Sequence, residues 1–382
     1  MKDSFTVIPH LEDMKEIHKF EKKVLKETNI PVCDISHWNS GAEYKKLIMS
    51  EYKPSNFLNI SDYHYSYEYP YETKQRVLSQ LTTSSDNKSS CVFFHNATAT
   101  ICCIADYLKK HNYKKICVID PAYFSICSCL LSFGLNVNKE TILQNNENDV
   151  ILPYDNIIQK GYDVVWITSP VFSTGIYFSQ KQIDLINCLI QKGIFLIIDE
   201  SAASPKLTLA SHLNSSENII EIFSPHKYLS MNSIKFAVIV CNQSIATYFE
   251  DWIDVFIGSL PASTCMAIDH FLSDNFISCL NIHDQYIENN IKLIQELCTI
   301  FPNNYFSGMA TNYITIQNRT VSYTNSLKNI DILKIMKQTH VSFIPGYING
   351  FNEAWGFCYR VNLTQDASVI KNSLGRLFSY FS

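Results

Sequence analysis

Lys227 lies in Ser224-Pro225-His226-Lys227, just after the apolar run 219–223, and 28 positions earlier the run 194–198 ends in Asp199. A lysine amine forms a Schiff base with an aldehyde, and a carboxylate keeps a pyridine nitrogen protonated so that the ring withdraws electrons. A strand-end aspartate followed by a strand-end lysine is the minimum equipment for chemistry on a pyridine aldehyde. Each residue alone has a plainer reading. A loop lysine is ordinarily a solvated charge, and an aspartate after a strand ordinarily caps the next helix. Their order, their spacing and the motifs around them favour the chemistry.

Holding two such groups at strand ends requires a sheet, and the sequence supplies one. Between about 90 and 241, short apolar runs alternate with segments of helical period, the pattern of an α/β fold with a doubly wound, mostly parallel sheet. The spacing predicts strands at 91–94, 116–119, 164–168, 194–198, 219–223 and 236–241, and helices at 97–110, 124–133 and 180–192. Ligands of such sheets bind beyond the carboxyl ends of the strands. After 266 the pattern becomes a long helix through 284–300, a strand near 312–317, a helix near 328–339, a strand at 358–363 and a closing helix from Ala367. The division expected is an N-terminal arm and helix at 1–53 joining the smaller domain, a large ligand-binding domain at 54–265, and a small α+β domain at 266–382. The only biased segment is aromatic, from Tyr63 to Tyr71.

At 382 residues, 46% hydrophobic and 18% charged, the chain can bury a large core. A net charge of −5 with scattered Lys and Arg gives no electrostatic footprint for nucleic acid or an anionic membrane, so small-molecule partners are expected. The 13 cysteines lie mostly inside apolar stretches and include no CxxC pair, which reads as buried thiols in a reducing, cytoplasmic compartment without a structural metal. No apolar leader opens the chain, and no stretch approaches ~18 apolar residues, the length of a membrane span.

In this order the landmarks resemble the class I/II aminotransferases, pyridoxal phosphate (PLP) enzymes of fold type I, over roughly residues 55 to 365. Phe93-Phe94-His95-Asn96-Ala97-Thr98 stands where the family has a strand running into a Gly-Ala/Ser-Thr turn that opens a helix and holds the cofactor phosphate. Unpaired N–H groups and the dipole of a helix N-terminus suit a dianion. Asn96 replaces the glycine, which a left-handed asparagine would accommodate; an ordinary N-cap is the plainer reading. Asp120-Pro121-Ala122-Tyr123 is similar to the turn whose aromatic ring stacks on the pyridine. Ser224 and Lys227 match the lysine segment, and Lys235 stands where an arginine grips the phosphate, without the bidentate fork. Tyr69-Pro70 resembles the Tyr-Pro that reaches the neighbouring subunit's phosphate, which implies a homodimer. Arg360, in Gly356 to Leu363, resembles the arginine that binds the substrate α-carboxylate, a structural ion pair being the alternative. His37 is a further candidate in the arm, as an acid/base near the substrate.

Two departures stand out. In Thr168-Ser169-Pro170-Val171-Phe172-Ser173-Thr174-Gly175, Phe172 replaces the asparagine that donates to the cofactor's phenolic oxygen, and in Asp199-Glu200-Ser201-Ala202, Ala202 replaces the tyrosine that shares that oxygen. Fewer donors favour the protonated imine and raise its pKa. His226, Ser201 and Ser173 are the nearest residues in sequence that could make up the loss. The resemblance implies an aminotransferase that uses PLP on Lys227 to pass an amino group from an amino acid to a 2-oxo acid. Two alternatives stay open: a PLP enzyme of another outcome, such as oxidation, decarboxylation or cyclisation, and a catalytically silent relative serving as a binding subunit.

Overall fold

The computed structural model describes residues 9–52, 65–81, 89–146, 149–214, 217–308, 311–323 and 331–382. These divide into two compact units. The larger holds 46–172 and 176–284, and the smaller holds residues up to 45, 173–175 and 285–382.

The larger unit is built on a seven-stranded sheet in the order Ser89–Phe94, Ala237–Asn242, Ile219–Phe223, Phe195–Glu200, Val164–Thr168, Ile116–Asp120 and Val137–Thr141. Six strands run one way, and Ala237–Asn242 runs against both of its neighbours. On one face Val92, Phe94, Val118, Trp166, Ile197 and Ile222 form a core with Ile101, Ile104 and Leu108 of the helix Ala97–Lys110. Ile167, Ile198 and Val240, on the opposite face, are buried as well. A strand covered on both faces must be apolar at every position, which is why the central strands read as unbroken hydrophobic runs. The edge strand Val137–Thr141, half exposed and carrying Asn138, Lys139 and Glu140, gives no such run and escapes the sequence pattern. The helices Tyr71–Leu81 and Gln243–Phe256 were likewise not anticipated.

The smaller unit is α+β. Its antiparallel sheet has the order Asn304–Phe306, Tyr313–Asn318, Phe357–Asn362 and Ile344–Pro345. Ile17 and Val24 of the helix Pro9–Thr28 join Ile314, Ile316, Tyr359, Leu374 and Phe378 in one core. The arm after that helix pairs in parallel with a short strand, Cys33 opposite Val341 and Asp34 opposite Ser342. The long helix, Asp274–Ile300, begins ten residues before the expected start. Its first part, with buried Phe276, Cys279 and Leu280, groups with the larger unit. The division therefore falls at 284/285 rather than 265/266, and the arm's last residues, 46–52, also lie with the larger unit. Of the aromatic segment, Tyr63 and His64 lie outside the described residues.

Gly41 ties the arm to the closing helix. Its N–H donates to the Thr364 carbonyl at 2.9 Å, and a Cβ there would meet the Asp366 backbone nitrogen at 2.7 Å. Gly41→Ala should therefore cost about 1–3 kcal/mol through overpacking against backbone. A calorimetric melt with no loss of stability would show that this approach is not tight.

Candidate active site

The carboxyl ends of the co-directional strands collect most of the residues singled out from sequence. Asp199, 6% exposed near the end of Phe195–Glu200, accepts the Ser201 N–H at 3.0 Å on Oδ1, and the Ser201 hydroxyl donates to the same oxygen. Two donors on one buried oxygen hold the carboxylate in a fixed orientation. Lys227 sits in a single helical turn, Pro225–Tyr228, directly after Ile219–Phe223. Its Nζ lies 5.6 Å from the centre of the Tyr123 ring, and that ring is tilted 32° to Phe172 at 6.1 Å. The structure thus brings Lys227, Tyr123 and Phe172 together at one sheet edge, which Asp199 shares.

A second cluster forms where Ser89–Phe94 leads into the helix Ala97–Lys110. Asn96 has φ −165° and ψ 162°, extended backbone, and its Oδ1 accepts the Ala99 N–H at 2.9 Å. The left-handed asparagine expected from the missing glycine is not found. Asn96 is an N-cap, and it consumes one of the helix-terminal donors. The Ala97 and Thr98 amides have no carbonyl a turn earlier to receive them. Ala237 pairs opposite Phe94, so Lys235, two residues earlier, reaches the same edge from the other direction. Burial lowers the Lys235 pKa, while burial and the Lys235 charge lower that of His95. His95 Nδ1 is buried without a hydrogen-bond partner. His95 had not been singled out; its place between an apolar strand and a helix cap was the available signal.

Three residues serve differently from expectation. The Ser224 hydroxyl donates to the Phe236 carbonyl at 2.8 Å, so its proton is committed to the backbone rather than offered to a phosphate. His226 is fully buried, with ring contacts to Phe236 at 5.5 Å, His270 at 5.5 Å and Phe276 at 5.4 Å. Burial, with His270 adding to it, pushes its pKa well down, so it is a neutral side chain sealed among aromatic rings. The Ser201 hydroxyl is taken by Asp199. Tyr69 packs edge-on against Phe93 at 4.9 Å, and burial, then a hydrogen bond with Cys265, raises its pKa.

In the smaller unit, Arg360 and His37 come together through the arm. Arg360, on the strand Phe357–Asn362, is 2% exposed. Its guanidinium carbon lies 3.9 Å from the Trp38 ring centre and 4.7 Å from that of Tyr313, and Nη2 donates to the Ser36 carbonyl at 2.6 Å. The Ser36 hydroxyl donates back to the Arg360 carbonyl. A charge so enclosed is tolerated because aromatic faces and backbone oxygens replace water. Asp34 is close enough for Arg360 to oppose the rise that burial gives its pKa. His37 Nδ1 accepts the Asn39 N–H at 2.9 Å, which places the proton of the neutral ring on Nε2. The Asn362 side chain donates to the His37 carbonyl at 2.9 Å and to that of Asn39 at 3.1 Å, fixing the segment to the strand's end.

Among the described residues no helix is long and apolar enough to cross a membrane. No family model matches the chain. A histidinol-phosphate aminotransferase of Buchnera aphidicola subsp. Cinara cedri is 27% identical over 212 residues, a match covering 54% of this chain and 58% of that protein. This chain therefore spans little more than half the length of that relative in the match. Among solved structures, the Escherichia coli protein YbdL, identified as having a methionine aminotransferase function, superposes with a TM-score of 0.76 at 12% identity, covering 99% of this chain and 98% of that one. The PLP-bound C-S lyase of Staphylococcus hominis gives 0.74 at 14% identity, covering 94% and 95%. With a large, mostly parallel seven-stranded sheet, a small α+β unit and this likeness along nearly the whole chain, the protein has fold type I of the PLP-dependent enzymes.

Proposed function

We propose that the protein is a PLP-dependent aminotransferase acting on an amino acid and a 2-oxo acid. The observation that carries the reading is the approach of Lys227 Nζ to the Tyr123 ring, at the sheet edge where Asp199 is held by Ser201. The donor set fits the cofactor. Asp199 offers a fixed carboxylate for a pyridine nitrogen, Tyr123 a flat ring beside the lysine, and Ala97, Thr98 and Lys235 offer amides and a cation for a phosphate. Ser224 is left out of that set because its hydroxyl serves Phe236. When bound, PLP supplies an aldehyde for the substrate amine and an electron-accepting ring.

The chain's own groups divide the remaining work. Lys227 Nζ would hold the aldehyde and, as a free amine, would be the base that moves the substrate's α-proton. Asp199 would keep the ring nitrogen protonated. Arg360 takes the substrate carboxylate, oriented by Ser36, Trp38 and Tyr313, and His37 lies on the same segment as a substrate-side acid/base. The absence of both usual phenolate donors, at Phe172 and Ala202, favours a second reading, a PLP enzyme of another outcome. Keto-acid-dependent amine transfer, measured beside oxygen consumption and carbon dioxide release, separates the two.

Lys227→Ala should remove covalent cofactor attachment without unfolding the protein. Borohydride reduction of the wild type followed by peptide mapping should place the pyridoxyl group on Lys227, and a label on Lys235 or Lys206 would overturn the assignment.

Asp199→Asn should keep PLP bound and lower turnover by about 100-fold or more, since a neutral amide does not stabilise a pyridinium. A variant with bound cofactor and undiminished rate would remove Asp199 from the mechanism.

We also propose a homodimer in which Tyr69 of one chain approaches the phosphate held by the other. Sedimentation of the PLP-bound protein as a monomer at micromolar concentration would contradict it.

A further inference from the structure

Two hydroxyls at the end of the strand Val164–Thr168 have no role in the site so far. Thr168 is 6% exposed and Ser169 1% exposed, and neither Thr168 Oγ1 nor Ser169 Oγ has a hydrogen-bond partner. A buried hydroxyl without a partner is destabilising, so each such group in a folded protein calls for an explanation. Their position supplies one. Thr168 stands in register with Asp199 on the adjacent parallel strand, and the Ser169 N–H donates to the Asp199 carbonyl at 3.0 Å. Residues in register on neighbouring strands share a face, as Trp166 and Ile197 do one pleat earlier in the same core.

The chemistry of the pyridoxal ring fixes which group it presents there. Going round the ring from the nitrogen, one direction leads to the methyl group and the phenolic oxygen, and the other leads to the phosphate arm. The proposed phosphate groups flank two strands, Ala97 and Thr98 just after Ser89–Phe94 and Lys235 just before Ala237–Asn242, and both strands lie on one side of the Asp199 strand in the sheet order. With the nitrogen at Asp199, the oxygen edge is turned to the other side. The next strand on that side is Val164–Thr168.

We propose that the Thr168 and Ser169 hydroxyls donate hydrogen bonds to the phenolic oxygen of bound PLP, in place of the asparagine and tyrosine donors that Phe172 and Ala202 do not provide. They are positioning residues for the cofactor. The inference rests on the reading of the protein as a PLP enzyme and adds which side chains set the charge on the ring oxygen. It also changes the expectation drawn from the sequence alone: the phenolate is shared, by hydroxyls one strand over from Asp199.

The test uses apo protein reconstituted with PLP, for the wild type, Thr168→Val/Ser169→Ala, and Thr168→Ser. Three quantities are read: PLP affinity, the pH midpoint of the visible band of the bound cofactor, and the melting temperature of the apo protein. The double variant should bind PLP about tenfold more weakly, as expected for the loss of hydrogen bonds to a charged acceptor. Its midpoint should rise by about one pH unit, because an unshared phenolate favours the protonated linkage to Lys227. Its apo form should melt no lower than the wild type, since the hydroxyls it loses have no partners in the apo structure. Thr168→Ser, which keeps the hydroxyl, should keep the wild-type midpoint. The proposal is overturned by unchanged affinity and midpoint in the double variant, or by weaker binding accompanied by a lower apo melting temperature, which would mark a structural role. Failure of the wild type to take up PLP at all would instead remove the functional reading beneath it.

Discussion

The constraint on which the rest of this structure depends is the shared direction of six strands. Parallel ladders must be covered on both faces, so side chains within these strands are consumed by the core, as Trp166, Ile197 and Ile222 are. Polar chemistry can enter only where the strands stop. Asp199, Thr168, Asn96, Tyr123 and Lys227 all stand at or just beyond carboxyl ends, so a single edge receives an acid, hydroxyls, a helix terminus, a ring and an amine. None of these groups had to be placed individually. Ending buried strands in register sets their separations in multiples of the spacing of neighbouring strands, about 4.8 Å.

Much of this was legible in the sequence because double burial leaves a strong trace. The expected strands at 164–168 and 219–223 coincide with the observed Val164–Thr168 and Ile219–Phe223, and the helix expected at 97–110 is Ala97–Lys110. The edge strand Val137–Thr141 was illegible for the converse reason, since one covered face leaves no continuous apolar run. The start of the helix Asp274–Ile300 was missed because its first turns bury Phe276 and Leu280 with one unit and its later turns bury Ile287 and Ile294 with the other, so no single stripe runs its length.

Within the site, residue type and position were readable, but the direction of each polar group was not. Asn96, Ser224 and His226 occupy the positions expected of them, yet one caps a helix, one bonds a carbonyl and one is sealed among aromatic rings. Those outcomes depend on neighbours distant in sequence, such as Phe236 and Phe276. Arg360 shows the same limit in the smaller unit. A strand arginine invites a partner, but only the fold reveals that Trp38, Tyr313 and the Ser36 carbonyl enclose it. Thr168 and Ser169 carried no signal at all, since a threonine or serine at the end of an apolar run is unremarked until its hydroxyl is seen to be buried and idle.

The Ser224 bond reaches further than the loss of one anchor. The chain leaves the sheet at Phe223 and re-enters it, in the opposite sense, at Ala237, and the hydroxyl of the first loop residue is fastened to the carbonyl of the last. Lys227 and Lys235 both ride on that closed excursion. A parallel return would have needed the chain to cross over the sheet to its opposite end before reaching the next strand. Here the one reversed strand lets a single clasped loop act as a caliper, with an amine on one jaw and a second cation on the other, its opening set by the backbone.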